Sequence, residues 1–253
     1  MKKCKYCGME YIKNPNLNFF PESIRSNLEL IPNCNCLFKI EEKKQNEEWK
    51  NNLTKSRMKK YENASIVSQN IKEMKFENTT INMNKTDKMD RHLRISLKFV
   101  DEFLKNKNMN GGIYFYGSVG TGKTFTTSCI ANKLIENQCT VLILNLGLYF
   151  LKLRTEWSEA EIKMLELVEK CDLLIIDDLG TEKVSDFVLE KTFNLINKRY
   201  TSQKALLVTS NLTLSEIAKV YNERIADRIN EMCVQVEVYG KSRRVPNTEW
   251  LTA

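Results

Sequence analysis

Gly117-Ser118-Val119-Gly120-Thr121-Gly122-Lys123-Thr124 is the stretch that decides the fold of this 253-residue chain. It fits the pattern G-x-x-x-x-G-K-[ST], in which the backbone N–H groups of a glycine-rich loop surround phosphate oxygens. An apolar run over 113–116 precedes the stretch, and a helical pattern follows it. We therefore expect all eight residues to bind the phosphates of ATP at the N-terminus of a helix.

Individual side chains around this loop have separate expected roles. Lys123 would bridge the β and γ phosphates, and the Thr124 hydroxyl would bind Mg²⁺. A second apolar run ends in two acids, of which Asp177 would hold the same Mg²⁺ and Asp178 would act as general base toward the attacking water. Asn211 follows a further apolar run and would orient that water or contact the γ-phosphate.

Five apolar runs separated by helical patterns predict the fold. The expected strands cover 113–116, 141–145, 173–177, 205–210 and 234–238, and an amphipathic helix over 89–104 precedes the first of them. Continuous apolar strands that alternate with helices indicate a parallel sheet covered on both faces. The sequence thus predicts an α/β P-loop domain with a five-stranded parallel sheet.

Four cysteines near the N-terminus form two close pairs, Cys4 with Cys7 and Cys34 with Cys36. This pattern is typical of a tetrahedral structural zinc site, although C-x-C is a less usual pair than C-x-x-C. A segment this small buries little apolar surface, and bound Zn²⁺ can contribute about 10–16 kcal/mol to its folding. The alternative is four unconnected thiols. The other cysteines stand singly among apolar residues and are expected to be buried packing residues: Cys129, Cys139, Cys171 and Cys233.

The chain is predicted to have three parts. Residues 1–62 contain the cysteine module and a charged helix over 37–62, residues 63–86 form a polar linker, and residues 87–253 form the nucleotide domain. The composition is 42% hydrophobic and 28% charged, and no apolar run reaches the roughly 18–20 residues of a membrane span. We expect a cytoplasmic protein with no membrane partner. The net charge of +7 permits nucleic-acid binding without requiring it.

The motifs together resemble the DnaC/DnaI family of bacterial and phage replicative-helicase loaders, with IstB-type transposition ATPases as close relatives. The resemblance is carried by GSVGTGKT (117–124), LLIIDDLGTE (173–182), INKRY (196–200), LLVTSNL (206–212) and ERIADRI (223–229). These stretches span the domain from about residue 111 to 244, which the resemblance implies is an AAA+ ATPase domain. A cysteine module, a charged helix and a linker before this domain resemble the loaders more than the transposition branch.

The resemblance implies roles for several arginines. Arg228 matches the arginine finger that AAA+ proteins present to a neighbouring subunit's nucleotide, with Arg224 as the fallback. Arg244 resembles the second sensor, which contacts phosphate within its own subunit, and Arg243 stands beside it. The alternative is that these arginines are ordinary surface charges. A finger acting in trans would make self-association part of the function.

The resemblance also implies a function. The chain would be an ATP-dependent loader of a DnaB-type replicative helicase, with the zinc module binding the helicase. Asp178 stands where AAA+ ATPases generally carry Glu, and its shorter side chain is consistent with slow, regulated hydrolysis. Single-stranded DNA would be contacted near 149–157, where Phe150, Lys152, Arg154 and Trp157 lie, although an amphipathic helix explains the same residues. Two alternatives remain: an IstB-like transposition ATPase that binds DNA and recruits a transposase, and a non-catalytic adaptor locked by ATP.

Overall fold

A computed structural model of the chain describes residues 2–67, 71–79, 91–155 and 158–243. The chain separates into two compact units, Met1–Lys55 and Ser56–Ala253. In the described part of the chain, no helix is both long enough and apolar enough to cross a membrane.

The first unit is built around a two-stranded antiparallel sheet. Strands β1 (Tyr11–Lys13) and β2 (Leu30–Pro32) pair with each other, and the short helix α1 (Glu22–Leu28) lies between them in sequence. Helix α2 (Cys36–Ala64) follows and agrees with the charged helix predicted over 37–62. Only its last turns belong to the second unit, where Tyr61 is buried in the core.

The second unit contains a five-stranded sheet in the order β4-β5-β6-β3-β7, and every neighbouring pair is parallel. The strands are β3 (Gly112–Tyr116), β4 (Val141–Asn145), β5 (Leu173–Leu179), β6 (Leu206–Ser210) and β7 (Cys233–Glu237). The helices are α3 (Arg91–Lys105), α4 (Lys123–Glu136), α5 (Leu146–Thr155), α6 (Ser158–Lys170), α7 (Asp186–Thr201), α8 (Leu214–Val220) and α9 (Glu223–Met232). The predicted α/β fold and its five parallel strands are confirmed.

Helices cover both faces of this sheet. Along β5, Leu174 and Ile176 pack into one core cluster, whereas Leu173 and Ile175 pack into the other. Because successive side chains of a strand point to opposite faces, a strand that is covered on both sides must be apolar at every position. This explains why the strands appear in the sequence as continuous apolar runs.

The described part of the predicted linker is packed on the second unit. Ile66 pairs with the edge of β4, where its N–H donates to the Ile143 carbonyl and its carbonyl accepts from Asn145 N–H, both at 2.8 Å. Farther along, two 3-10 turns (Ile71–Glu73 and Phe76–Asn78) lie against α4, and Phe76 is buried. Scattered apolar side chains anchor a segment whose overall composition is polar. Residues 80–86 lie outside the described residues.

Candidate functional site

The loop between β3 and α4 has the conformation that phosphate binding requires. Gly117, Gly120 and Gly122 adopt φ values of 139°, 80° and 102°, which side chains on L-residues disfavour. Space is also restricted, because a Cβ on Gly117 would lie 2.6 Å from the Val238 carbonyl oxygen. Helix α4 begins at Lys123, so its N-terminus points its free N–H groups at this loop.

Lys123 is buried at the centre of the site, with only 6% of its surface exposed. Its ammonium group donates hydrogen bonds at 2.8 Å to the carbonyl oxygens of Gly117 and Ser118 and to the Asn211 side-chain oxygen. A buried ammonium is stable only when acceptors or negative charge surround it. The structure thus brings Asn211 to Lys123, the lysine predicted to bind phosphate.

Thr124 and Asp177 lie side by side, as a shared Mg²⁺ would require. The Thr124 hydroxyl donates to the Asp177 carboxylate over 2.9 Å, and the Thr209 hydroxyl donates to the same carboxylate oxygen over 2.7 Å. Burial raises the pKa of Asp177, while these hydrogen bonds act in the opposite direction. A hydroxyl and a buried carboxylate are hard oxygen ligands of the kind that Mg²⁺ prefers.

Asp178 lines the same cavity from the end of β5. It is one of the few residues other than glycine with a positive φ, at 63°, and its N–H donates to the Thr209 hydroxyl over 2.9 Å. Left-handed backbone at such a residue is held only where the surroundings fix it, and such residues cluster at functional sites. Thr209 was given no role from the sequence, although it lies in the stretch LLVTSNL (206–212) that carries the resemblance.

The site opens into a cavity of about 800 Å³, a volume typical of small-molecule sites. Its lining includes Lys123, Thr124 and Asp178. Other lining residues lie outside any motif: Met74, Asn78, Thr79, Leu93 and Phe125. The volume and the mixed polar and apolar lining fit a nucleotide. Met74, Asn78 and Thr79 belong to the segment 74–79, which forms one wall of the cavity. No sequence motif marks this wall, because lining a cavity does not require particular residue types at fixed spacings.

The arginines suggested by the resemblance fall into two groups. Arg243 lines the cavity, and its N–H donates to the Gly120 carbonyl over 2.9 Å, whereas Arg244 lies outside the described residues. Neither Arg224 nor Arg228 is among the described residues that line the cavity. The Arg228 guanidinium lies over the Phe193 and Tyr200 rings, 4.3 and 5.5 Å from their centroids.

The segment proposed to contact DNA is only partly available. Phe150 and Tyr149 are buried in the core, so the expectation that the Phe150 ring offers a stacking surface is wrong. The aromatic ring packs inward because α5 covers one face of the sheet. Lys152 and Arg154 are exposed on the outer side of the helix, and Trp157 lies outside the described residues.

The four N-terminal cysteines come together in the first unit. Pairing of β1 with β2 brings the two pairs close, and the sulfurs of Cys4, Cys7, Cys34 and Cys36 all lie within 4.8 Å of one another. In tetrahedral coordination with Zn–S bonds of about 2.3 Å, the sulfurs would be about 3.8 Å apart. Backbone N–H groups of Tyr6 and Cys7 lower the pKa of the Cys4 thiol to about 7, which favours a thiolate there, whereas the neighbouring thiols and burial raise the pKa of Cys36 to about 12. The donor set and its spacing fit Zn²⁺.

The other four cysteines are buried, as predicted: Cys129, Cys139, Cys171 and Cys233. Burial raises the pKa of the Cys129 thiol to about 12 and that of the Cys171 thiol to about 11. A buried neutral thiol behaves as a small apolar side chain. These cysteines therefore serve packing.

Comparison with known proteins gives consistent results. A family model described as "IstB-like ATP binding protein" matches residues 44–249. The replicative helicase loader DnaI of Bacillus subtilis (strain 168) is 26% identical over 164 residues, which cover 58% of this chain and 53% of that protein. The replicative helicase loader DnaC of Escherichia coli (strain K12) is 25% identical over 135 residues, which cover 52% of this chain and 54% of that protein.

The chain thus spans about half the length of these curated relatives. Among solved structures, a crystal structure of DnaI superimposes with a TM-score of 0.59 at 21% identity, covering 69% of this chain and 96% of the other. At this level of identity the superposition shows a shared fold.

Proposed function

The chain belongs to the IstB-like family of ATP-binding proteins, and from this premise we propose that it is an ATPase that loads a replicative DNA helicase. The observation that carries the ATPase part is the meeting of Lys123, Thr124, Asp178 and Asn211 in one cavity of nucleotide size. Similarity to proteins named replicative helicase loaders supports the second part. Its action would take place in the cytoplasm during replication initiation.

The proposed chemistry follows from the positions of the side chains. Lys123 binds the β and γ phosphates, and Thr124 with Asp177 would hold Mg²⁺, which neutralises charge on the phosphates when it is bound. Asp178 accepts a proton from water as the water oxygen bonds to the γ-phosphorus and the bond from that phosphorus to the bridging oxygen breaks. Asn211, which is hydrogen-bonded to Lys123, would contact the γ-phosphate. The short reach of Asp178 would keep hydrolysis slow and dependent on partners.

We further propose that hydrolysis is completed between subunits. Arg228 does not line its own cavity; it is half-buried, its guanidinium packs over two aromatic rings of α7, and its Nη1 atom is buried without a hydrogen-bond partner among the described residues. Because the rings restrain the Arg228 side chain, little further ordering is needed for it to contact the nucleotide bound to a second copy of the chain. There it would stabilise the charge that develops in the transition state of hydrolysis. Head-to-tail contacts of this kind form rings or open spirals. Arg243 would contact phosphate within its own subunit, in the role assigned by resemblance to Arg244.

The first unit is proposed as the helicase-binding part. Bound Zn²⁺ would hold its cysteine pairs together and stabilise the unit. Several large apolar side chains of this unit are exposed, including Phe19 at 87% and Phe38 at 70%. Exposed apolar side chains of this size favour protein partners. Exposed Lys152 and Arg154 in the second unit would contact the phosphates of single-stranded DNA.

Native mass spectrometry tests the loader function directly. The full chain is mixed with a DnaB-type helicase from the same source, with and without ATP. A complex with the wild-type chain that is lost in Phe19→Asp, at a position too exposed to affect folding, would support helicase loading through the first unit. The control is Leu151→Asp, an apolar position in the second unit that is 61% exposed.

Absence of a complex under every nucleotide condition would favour the transposition alternative. Binding of duplex DNA and of a transposase would then be the next measurement. The ATP-locked adaptor is distinguished by catalysis, because an adaptor that only binds ATP would be indifferent to the loss of Asp178.

A further inference from the structure

The pairing of β5 with β6 is irregular at the catalytic acids. Ile176 pairs with Val208 and Leu179 pairs with Ser210, so two residues of β5 stand opposite the single residue Thr209. This is a β-bulge, a feature that is rare in parallel sheets and common beside active sites, where it redirects a side chain.

The bulge changes where the two acids point. In a regular strand the side chains of Asp177 and Asp178 would face opposite sides of the sheet. Asp178 instead adopts a φ of 63° and lines the nucleotide cavity. Asp177 bonds to Thr124, which lines the same cavity. The irregularity therefore allows adjacent carboxylates to serve one site.

Thr209 connects both halves of the bulge through one hydroxyl group. The hydroxyl donates its only proton to the Asp177 carboxylate over 2.7 Å and accepts the Asp178 N–H over 2.9 Å. Thr209 is 0% exposed, so its rotamer is fixed by packing. The direction of each bond is settled, because a hydroxyl has one donor and the backbone N–H can only donate.

Other hydrogen bonds fix the backbone that follows the bulge. The Ser210 hydroxyl donates to the Leu179 carbonyl over 2.6 Å, and Gly180 N–H donates to the Tyr221 hydroxyl over 3.1 Å. The Thr181 hydroxyl donates to the carbonyl of Asp178 from the exposed side. In the described structure, Thr209 is the only residue that is hydrogen-bonded to both the Asp178 N–H and the Asp177 carboxylate.

We propose that Thr209 is a positioning residue for ATP hydrolysis, which holds Asp178 in its left-handed conformation and orients the Asp177 carboxylate toward the metal. This inference rests on the proposed ATPase function. Thr209 is fully buried and is not among the described residues that line the cavity, so it would act only through the two acids. Its loss should therefore affect the chemical step and the metal site far more than nucleotide binding.

Thr209→Val tests this with almost no change in side-chain volume. We expect kcat for ATP hydrolysis to fall about 100-fold, as misplacement of reacting groups by about 1 Å can cause, while KM changes little. We also expect weaker Mn²⁺ binding to the protein–ATP complex, measured by electron paramagnetic resonance without any turnover. Thr209→Ser restores the hydroxyl and should recover most of both properties.

Thr192→Val is the matched control. Thr192 is equally buried, and no described group accepts or donates a hydrogen bond to its hydroxyl. The same substitution there should leave both kcat and Mn²⁺ affinity unchanged.

A Thr209→Val protein that hydrolyses ATP and binds Mn²⁺ like the wild type would overturn the inference, as would equal losses in Thr209→Ser. A wild-type chain that binds ATP and never hydrolyses it, alone or with partners, would instead contradict the proposed ATPase. In that case the Mn²⁺ measurement still decides whether Thr209 orients Asp177.

Discussion

The side-chain amide of Asn132 lies 2.7 Å from the carbonyl oxygen of Ile71 and 2.8 Å from that of Met74. Asn132 belongs to α4, the helix that starts at the phosphate-binding loop, and residues 74–79 form one wall of the nucleotide cavity. Exposed ion pairs of Lys75 with Glu136 and of Lys133 with Glu77 join the same two elements, although such pairs stabilise little. Together with the buried side chain of Phe76, Asn132 therefore positions the wall.

Asn132→Ala should weaken ATP binding about tenfold, since the two lost hydrogen bonds contribute about 0.5–1.5 kcal/mol each. The phosphate contacts are untouched, so the maximal hydrolysis rate should remain close to that of the wild type. Titration with a fluorescent ATP analogue measures the affinity. Asn137→Ala is the control, because in the described structure the Asn137 side chain donates only to the Lys133 carbonyl, near the far end of the same helix. Equal affinities in the two variants would mean that the wall does not contribute to binding.

The sequence was sufficient for the fold, and the phosphate-binding role of residues 117–124 stays a prediction from the same motif. The glycine-rich loop and the acidic strand end are recognisable because phosphate and metal binding restrict residue type at fixed spacings. Residues 74–79 were interpreted as part of the linker. They line the cavity because of where the backbone places them, and several residue types could fill these positions, so they form no recognisable motif. The bulge at Asp178 was also missed, because a single extra residue in a strand leaves the apolar pattern nearly unchanged. The burial of Phe150 was not predicted, because α5 mixes apolar and charged residues and the sequence alone does not show which of its faces packs on the sheet.

Lys123→Ala should reduce ATP affinity on the order of 100-fold or more, because truncating one partner of a buried charged contact costs about 2–5 kcal/mol. Isothermal titration calorimetry with ATP and Mg²⁺ measures this loss. The lysine ammonium is replaced by an apolar methyl, so the fold should tolerate the change. Lys170→Ala, at an exposed lysine, provides the control. Retained affinity in Lys123→Ala would contradict the phosphate-site assignment.

Asp178→Asn should lower the hydrolysis rate by about 10²–10⁴-fold, the usual contribution of a general base. ATP affinity should change little, because Lys123, Thr124 and Asp177 are intact. Release of phosphate under saturating ATP measures the rate, and Asp101→Asn on α3 serves as a charge-matched control. Unchanged turnover would exclude Asp178 as the base and favour the adaptor alternative.

Replacing Cys34 and Cys36 together by Ser should remove about one Zn²⁺ per chain, because a structural site needs all four ligands. Inductively coupled plasma mass spectrometry gives the metal content. The first unit should also become sensitive to limited proteolysis, while the second unit stays resistant. Cys139→Ala, at a buried cysteine outside the cluster, should leave the metal content unchanged. Zinc that persists in the double variant would contradict the four-cysteine site.

Arg228→Ala and Lys123→Ala should complement each other when mixed. The first variant binds ATP and lacks the finger, whereas the second carries the finger and cannot bind ATP. If Arg228 acts on a neighbouring subunit, mixed assemblies contain junctions with one intact site and one intact finger. Each variant alone should be at least about 10³-fold slower than the wild type, by the usual effect of an arginine finger. The mixture should recover a measurable fraction of wild-type hydrolysis.

The complementation distinguishes catalysis from packing, which matters because Arg228 also lies over Phe193 and Tyr200. If its loss merely loosened α7 against α9, no partner subunit could repair the damage. Mixing Arg228→Ala with the double variant Lys123→Ala, Arg228→Ala is the control and should restore nothing. Activity in that control would exclude Arg228 as the finger and leave Arg224, exposed on the same helix, to be tested by the same mixing design.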